Sequence, residues 1–228
     1  MSMFNKLLYV LGALGVAFAI VVVVTISLYV NKQFNKKPST NSPESRSLHG
    51  VKKGQENTFS IRGNVYTIPS EIEIEVSTAG EIVSGQADVL TLYYDVSHLP
   101  QIKARWPQRR NIVRIELHYI RTFDRPVKDL YKESWDEIIE HPDKGLTEFK
   151  KESPSGYGKS VYQTKDKLDD YPQAKVVTFN CPGGHYCSTA AQYKNDIRIW
   201  VYIPDHLRPH MRSIYNEIYT KVDSFNKD

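Results

Sequence analysis

The chain has 228 residues, 40% of them hydrophobic and 25% charged, with a formal charge of +4. That length limits the fold to one ordinary domain once non-globular parts are set aside. The charge does not mark a nucleic-acid-binding domain: seven Lys or Arg and two Glu lie in residues 1–58, leaving 23 basic against 24 acidic residues beyond them. The basic excess therefore sits near the N-terminus, where it suits contact with anionic lipid.

Residues 1–6 form a short N-terminal tail. From Leu7 to Val30 the chain reads LLYVLGALGVAFAIVVVVTISLYV, with no charged side chain, which is long enough to cross a hydrocarbon core of about 30 Å as a helix. A cleaved signal peptide would have a shorter apolar core ending at a small-residue site. Here Ala17-Phe-Ala19 runs on into IVVVV, and no cysteine follows to receive a lipid. An uncleaved single-span membrane anchor is expected. Its orientation is contested. Lys32, Lys36 and Lys37 after the span outnumber Lys6 before it, which alone would keep the C-terminal bulk in the cytoplasm. The short tail and the close pair Cys181 and Cys187 favour export, because a disulfide forms in an oxidising compartment. The second argument is preferred, giving a single-pass membrane protein whose C-terminal domain is extracytoplasmic.

Residues 31–57, rich in Ser, Asn, Lys, Gly and Pro, bury too little to offset chain entropy and read as a flexible polar linker. Residues 58–228 then form an α+β domain. Thr58 to Pro69 is a hairpin signature, two β-prone runs around Arg62-Gly63-Asn64. Strands are expected at Glu71–Val76, Asp88–Tyr94 and Asn111–Ile120. The last places Val113, Ile115, Leu117 and Tyr119 on one face and Arg114, Glu116 and His118 on the other, so one side of the sheet faces water. Between Pro126 and His141 the positions Leu130, Trp135, Ile138 and Ile139 predict a helix stopped by Pro142. Further strands are expected at Ser160–Gln163, Lys175–Asn180 and Asp196–Ile203, the last alternating strictly. Asp205 to Phe225 predicts an amphipathic helix with Leu207, Met211, Ile214, Tyr215, Ile218, Val222 and Phe225 on one stripe and Asp205 as its cap. The sum is a mainly antiparallel sheet with helices on one face.

Motifs for catalysis are weak. Gly156-Tyr-Gly-Lys-Ser160 fails as a phosphate loop, because Ser153 stands where the first glycine belongs and a strand follows. His206 and His210 could share a helical face, but no H-E-x-x-H and no third metal ligand accompany them. Asp169 and Asp170 lie in a charged segment that reads as a solvated loop. There is no G-x-S-x-G, so no catalytic residue, metal or cofactor is assigned. CPGGHYC, residues 181–187, holds both cysteines. It offers too few ligands for zinc and too long a spacing for a thioredoxin-like site. Its Pro and two Gly suit a tight loop closed by a Cys181–Cys187 disulfide.

Lys103-Ala-Arg-Trp-Pro-Gln-Arg-Arg110 is the most unusual surface-like stretch. Arg and Trp dominate binding hot spots, since planar forks and large rings lose little freedom on docking. An ordinary loop whose Trp106 folds back on the core is the plainer alternative. The candidate partner-binding residues are Lys103, Arg105, Trp106, Arg109, Arg110 and, at the tip of the disulfide loop, His185.

Anchor, tether, the hairpin from Phe59 to Pro69, and a closing strand and helix running Ile214-Tyr-Asn-Glu-Ile218 to Ser224-Phe225 together resemble small membrane-anchored periplasmic immunity proteins of bacterial type VI secretion systems. The resemblance implies a protein that binds and neutralises a toxic effector in the periplasm. Such proteins share no active-site residues, so it transfers no functional position. The expected function is protein binding without enzymatic activity, the alternative being an accessory subunit of a secretion or cell-envelope complex.

Overall fold

The computed structural model describes residues 42–103, 111–120, 130–152, 158–165, 176–183, 186–194 and 196–226. The expected span at 7–30, its tail and the linker as far as residue 41 lie outside the described residues. Among the described residues no helix is long and apolar enough to cross a membrane.

The polar stretch is not tether as far as Asn57. Pro43–Leu48 forms a short helix, α1, capped by the Ser42 hydroxyl, which accepts from the Ser45 amide at 3.1 Å. Proline in the first turn loses nothing by lacking an N–H. Ser45 and His49 are buried. The Asn57 side chain accepts from the Lys52 amide at 2.7 Å and donates to the Lys52 carbonyl at 2.9 Å. Local side-chain bonds of this kind order a polar segment without apolar burial.

A hairpin of β1 (Asn57–Ile61) and β2 (Asn64–Ile68) follows as expected and forms its own two-stranded sheet. Its turn has positive φ at both Arg62 (49°) and Gly63 (89°), the twist-matched geometry of tight hairpins. Phe59, Ile61, Tyr66 and Ile68 are buried.

Nine strands make the main sheet: β3 (Glu73–Ser77), β4 (Val89–Asp95), β5 (Ile112–Tyr119), β6 (Glu137–His141), β7 (Leu146–Lys151), β8 (Lys159–Thr164), β9 (Thr178–Pro182), β10 (Tyr186–Lys194) and β11 (Ile197–Pro204). Their spatial order is β3-β4-β5-β11-β10-β9-β8-β7-β6. Every neighbouring pair is antiparallel. After β5 the chain moves to the far edge and meanders back, so that β11 closes against β5. The class is α+β, with a large antiparallel sheet and a C-terminal helix, α3 (Met211–Phe225).

One face of the sheet packs on α3. Ile74, Val76, Leu90, Leu92, Ile115, Leu117, Ile199 and Val201 alternate toward it and are buried. From the helix come Met211, Ile214, Tyr215, Ile218, Tyr219, Val222 and Phe225 at helical spacing. Ile214, Ile218 and Val222 are fully buried, each contributing about 1.5–3 kcal/mol.

Two further expectations fail for identifiable reasons. The helix expected at 126–141 is, in its described part, a 3₁₀ turn at Leu130–Lys132 followed by the edge strand β6. Leu130, Phe149 and Val161 form a second small core with Trp135 against them. The apolar spacing thus reflects a strand and a turn covering one sheet end rather than a helical stripe. The C-terminal helix does not begin at Asp205: Asp205–His210 is 3₁₀ and α3 starts at Met211. Pro209 cannot donate to the carbonyl four residues back, and Asp205 pairs with Arg208 instead of capping. No strand is expected from the sequence at β7 or over most of β10. They become strands because each is held between two neighbours.

Candidate functional site

Cys181 and Cys187 are joined in a disulfide. The pairing of Ser188 with Asn180 sets Cys181 and Cys187 directly opposite across the β9–β10 hairpin, with Cα atoms 4.1 Å apart. Both are buried in the core. His185, at the tip, lies outside the described residues, as do Arg105, Trp106, Arg109 and Arg110. Lys103 is the last residue of a one-turn helix, α2 (Pro100–Lys103). Gly156 and Tyr157 of the phosphate-loop motif and Asp169 and Asp170 also fall outside the described residues.

The sheet face turned away from α3 carries a different cluster. Registers align Tyr93, Arg114, Tyr202 and Ser188 in one row, Thr91, Glu116, Trp200 and Ala190 in the next, and His118, Arg198 and Gln192 in a third. Trp200 stacks on Tyr202 with ring centres 6.0 Å apart, and Tyr202 meets Tyr186 edge-on at 5.5 Å. The Arg114 guanidinium lies 4.2 Å from the Tyr202 ring centre and that of Arg198 lies 4.5 Å from Trp200. Guanidinium and ring faces attract through the ring quadrupole.

Glu116 organises this cluster. It accepts from Arg114 at 2.7 Å, sits 2.9 Å from His118 Nε2, and accepts from the Tyr202 hydroxyl at 3.4 Å. The hydrogen bond with His118 and the charge of Arg114 hold its carboxyl below the usual range despite partial burial. Burial pulls the Arg114 guanidinium down, but Glu116, Tyr202 and Tyr93 together outweigh it and the net direction is up. Both groups stay charged across the neutral range, on a rigid β platform. The surface is therefore built of preorganised planar groups, the types that lose little entropy on docking.

Sequence reading placed Arg114, Glu116 and His118 on this wet face. It missed Arg198, Trp200, Tyr202 and Tyr186. The signal was present for the first three: in Asp196–Ile203 the residues alternating with Ile197, Ile199 and Val201 are Arg198, Trp200 and Tyr202. Only the pairing of β5 with β11, distant in sequence, joins the two sets.

A second polar cluster lies at the other end of the sheet on the α3 side. Buried Glu148 accepts from the Tyr162 hydroxyl at 2.7 Å and the Ser160 hydroxyl at 2.9 Å, and lies 3.0 Å from His141 Nε2. Burial pushes its carboxyl up, but these three partners outweigh it and the net direction is down. In a nucleophile–base–acid relay the imidazole stands between hydroxyl and carboxylate. Here the carboxylate stands in the middle, so His141 does not activate Ser160, and the cluster reads as structural.

His206 and His210 do not form a metal pair on one helical face. Each 3₁₀ residue advances about 120°, so positions four apart diverge, and His206 Nε2 lies 3.1 Å from Asn111 Oδ1. Among the described residues no group of three or more His, Cys, Asp or Glu is placed to hold a metal. A cleft of about 600 Å³ beside α1 is rimmed by Arg46, Lys52 and Lys53 but also by Glu71 and Glu73. Arg46 pairs with Glu73 at 2.8 Å, leaving little net field.

No protein family, no curated protein and no solved structure matches this chain.

Proposed function

We propose that this chain is a single-pass protein of the bacterial inner membrane whose periplasmic domain binds and neutralises a toxic protein effector. The observation that carries the reading is the arginine-backed ladder of Trp200, Tyr202 and Tyr186 on the sheet face away from α3. Four strands at about 4.8 Å spacing and about six residues at 3.3 Å rise give a patch of roughly 20 by 20 Å. That suits the centre of an interface of about 800 Å² per partner. Neutralisation is steric: the rigid face covers a working surface of the effector. By chain order, Lys103, Arg105, Trp106, Arg109 and Arg110 lead into β5, and His185 joins β9 to β10. They are kept as proposed partner-binding residues on their chemistry alone.

The disulfide supports the periplasmic placement, since such bonds persist in oxidising compartments. The lysines after the apolar run oppose it, so orientation is tested first. Alkaline phosphatase fused to the C-terminus is active if the domain is exported; an expressed but inactive fusion sinks the placement. The function is tested by co-expression with the product of the adjacent gene directed to the periplasm. Toxicity relieved by this chain supports the reading, and toxicity that persists removes it.

A further inference from the structure

The two edges of the main sheet are treated differently. At β3, Arg46 of α1 reaches across to Glu73. At β6, no strand or helix among the described residues lies against the outer edge, and its two glutamates are neutralised from within the sheet by Lys150 and Lys165. Unpaired edges are pairing templates unless blunted by proline, bulges or charge, and β6, Glu137-Ile-Ile-Glu-His141, has an unbroken register with β7. Two of the large hydrophobic residues most exposed in the described structure lie here: Tyr131 at 60% and Ile138 at 47%. Tyr131 is held beside the strand, edge-on to Phe149 at 5.0 Å, with its hydroxyl 3.5 Å from Glu140.

We propose that two copies of this chain pair antiparallel through β6, with the two-fold axis at Ile139, joining two nine-stranded sheets into one. The strand is complementary to itself in that register. Ile139 meets its own counterpart. Glu137 faces His141 of the second copy, a carboxylate against an imidazole, and the pair occurs twice. Ile138 faces Glu140 of the second copy and so lies over the Tyr131 ring that Glu140 positions. Both exposed apolar groups are covered by the same movement.

Backbone geometry agrees with this register. Outward N–H and C=O groups of an antiparallel strand belong to alternate residues. A two-fold axis at residue 139 pairs odd positions with odd and even with even, so outward groups of either parity find partners. A five-residue edge is a small contact, below the ~1,000 Å² of a stable free interface, and confinement of both copies to one membrane would favour it. In that respect it rests on the proposed anchor. The Trp200 ladder is five strands away, about 24 Å at usual spacing, and stays open in both copies.

The test uses the full-length chain in membranes of an expressing host. Cys181 and Cys187 are bonded to each other and are the only two cysteines, so Ile139→Cys supplies the only free thiol. Directly opposed Cα atoms in antiparallel strands lie about 4.5–5.5 Å apart, within disulfide reach. Mild oxidation is expected to give a dimer-sized, reducible band, several-fold stronger than for Ile138→Cys, whose thiol would face Glu140. Adding Ile138→Lys to Ile139→Cys should weaken that band several-fold. Absence of the band, equal bands from both cysteines, or a band indifferent to Ile138→Lys overturns the proposal. Protease resistance matching the unsubstituted chain checks folding, with Ile138→Ser as a milder alternative to the lysine. Bands are scored in whichever fraction holds the chain, so a failed anchor and a failed pairing read separately.

Discussion

Replacing Glu148 with alanine removes a buried carboxylate that satisfies three side chains at once. Tyr162 is buried and loses a 2.7 Å partner, and Ser160 is half-buried and loses a 2.9 Å partner. His141 keeps 25% of its side chain exposed and can turn to water. An orphaned buried donor costs about 1–3 kcal/mol. With Tyr162 near the upper end and Ser160 near the lower, the loss is about 4 kcal/mol. At a urea m-value of about 2 kcal/mol/M the unfolding midpoint falls by about 2 M. Tryptophan fluorescence of the compact unit Thr40–Asp228 measures it. Glu148→Gln keeps the shape and one acceptor and should cost about half as much. Because the folded carboxyl is lowered, its stabilisation is present above the unfolded value of about 4.3 and lost as pH falls through the folded one. The gap between the native chain and Glu148→Gln therefore narrows with acid. A Glu148→Ala loss below about 1 kcal/mol, less than a single orphaned buried donor costs, refutes the account of this cluster.

Burial, with neighbouring Glu75, Glu217 and Glu148, pushes Tyr93, Tyr94 and Tyr162 up to about 12, and Tyr193 is raised as well. Their stabilisation is whole below the unfolded value of about 10 and is lost as pH rises through about 12. Phenolate absorbance should climb in two steps, the second coinciding with unfolding; one step near pH 10 with the fold intact contradicts the burial described. Reducing Cys181–Cys187 opens a short loop and should lower stability by about 2 kcal/mol without unfolding the sheet. Collapse of the circular dichroism on reduction at neutral pH would show the bond matters far more.

Alternation made most of the sheet legible. Ile112–Tyr119 and Ile197–Pro204 carry apolar residues at every second position because one face packs on α3. The α3 stripe was equally clear from Met211 onward. β10, Tyr186-Cys-Ser-Thr-Ala-Ala-Gln-Tyr-Lys194, has little β-branching, and it is extended because β9 and β11 supply partners on both sides. β6 was misread because five residues with adjacent isoleucines satisfy helical and extended spacing alike. The outer-face cluster was half legible: each strand displayed its own polar face, but the chain returns from the far edge before β11 reaches β5, and no local pattern reports that closure.

The central claim is that the face bearing Trp200 binds a protein. Its most direct measurement is the affinity of the chain for the effector identified by the rescue experiment, compared among the native chain, Trp200→Ala and Thr220→Ala on the exposed side of α3. A central aromatic anchor is worth at least about 2 kcal/mol, so Trp200→Ala should weaken binding about 30-fold or more with circular dichroism unchanged, while Thr220→Ala binds as the native chain does. Equal affinity of Trp200→Ala and the native chain would contradict the claim.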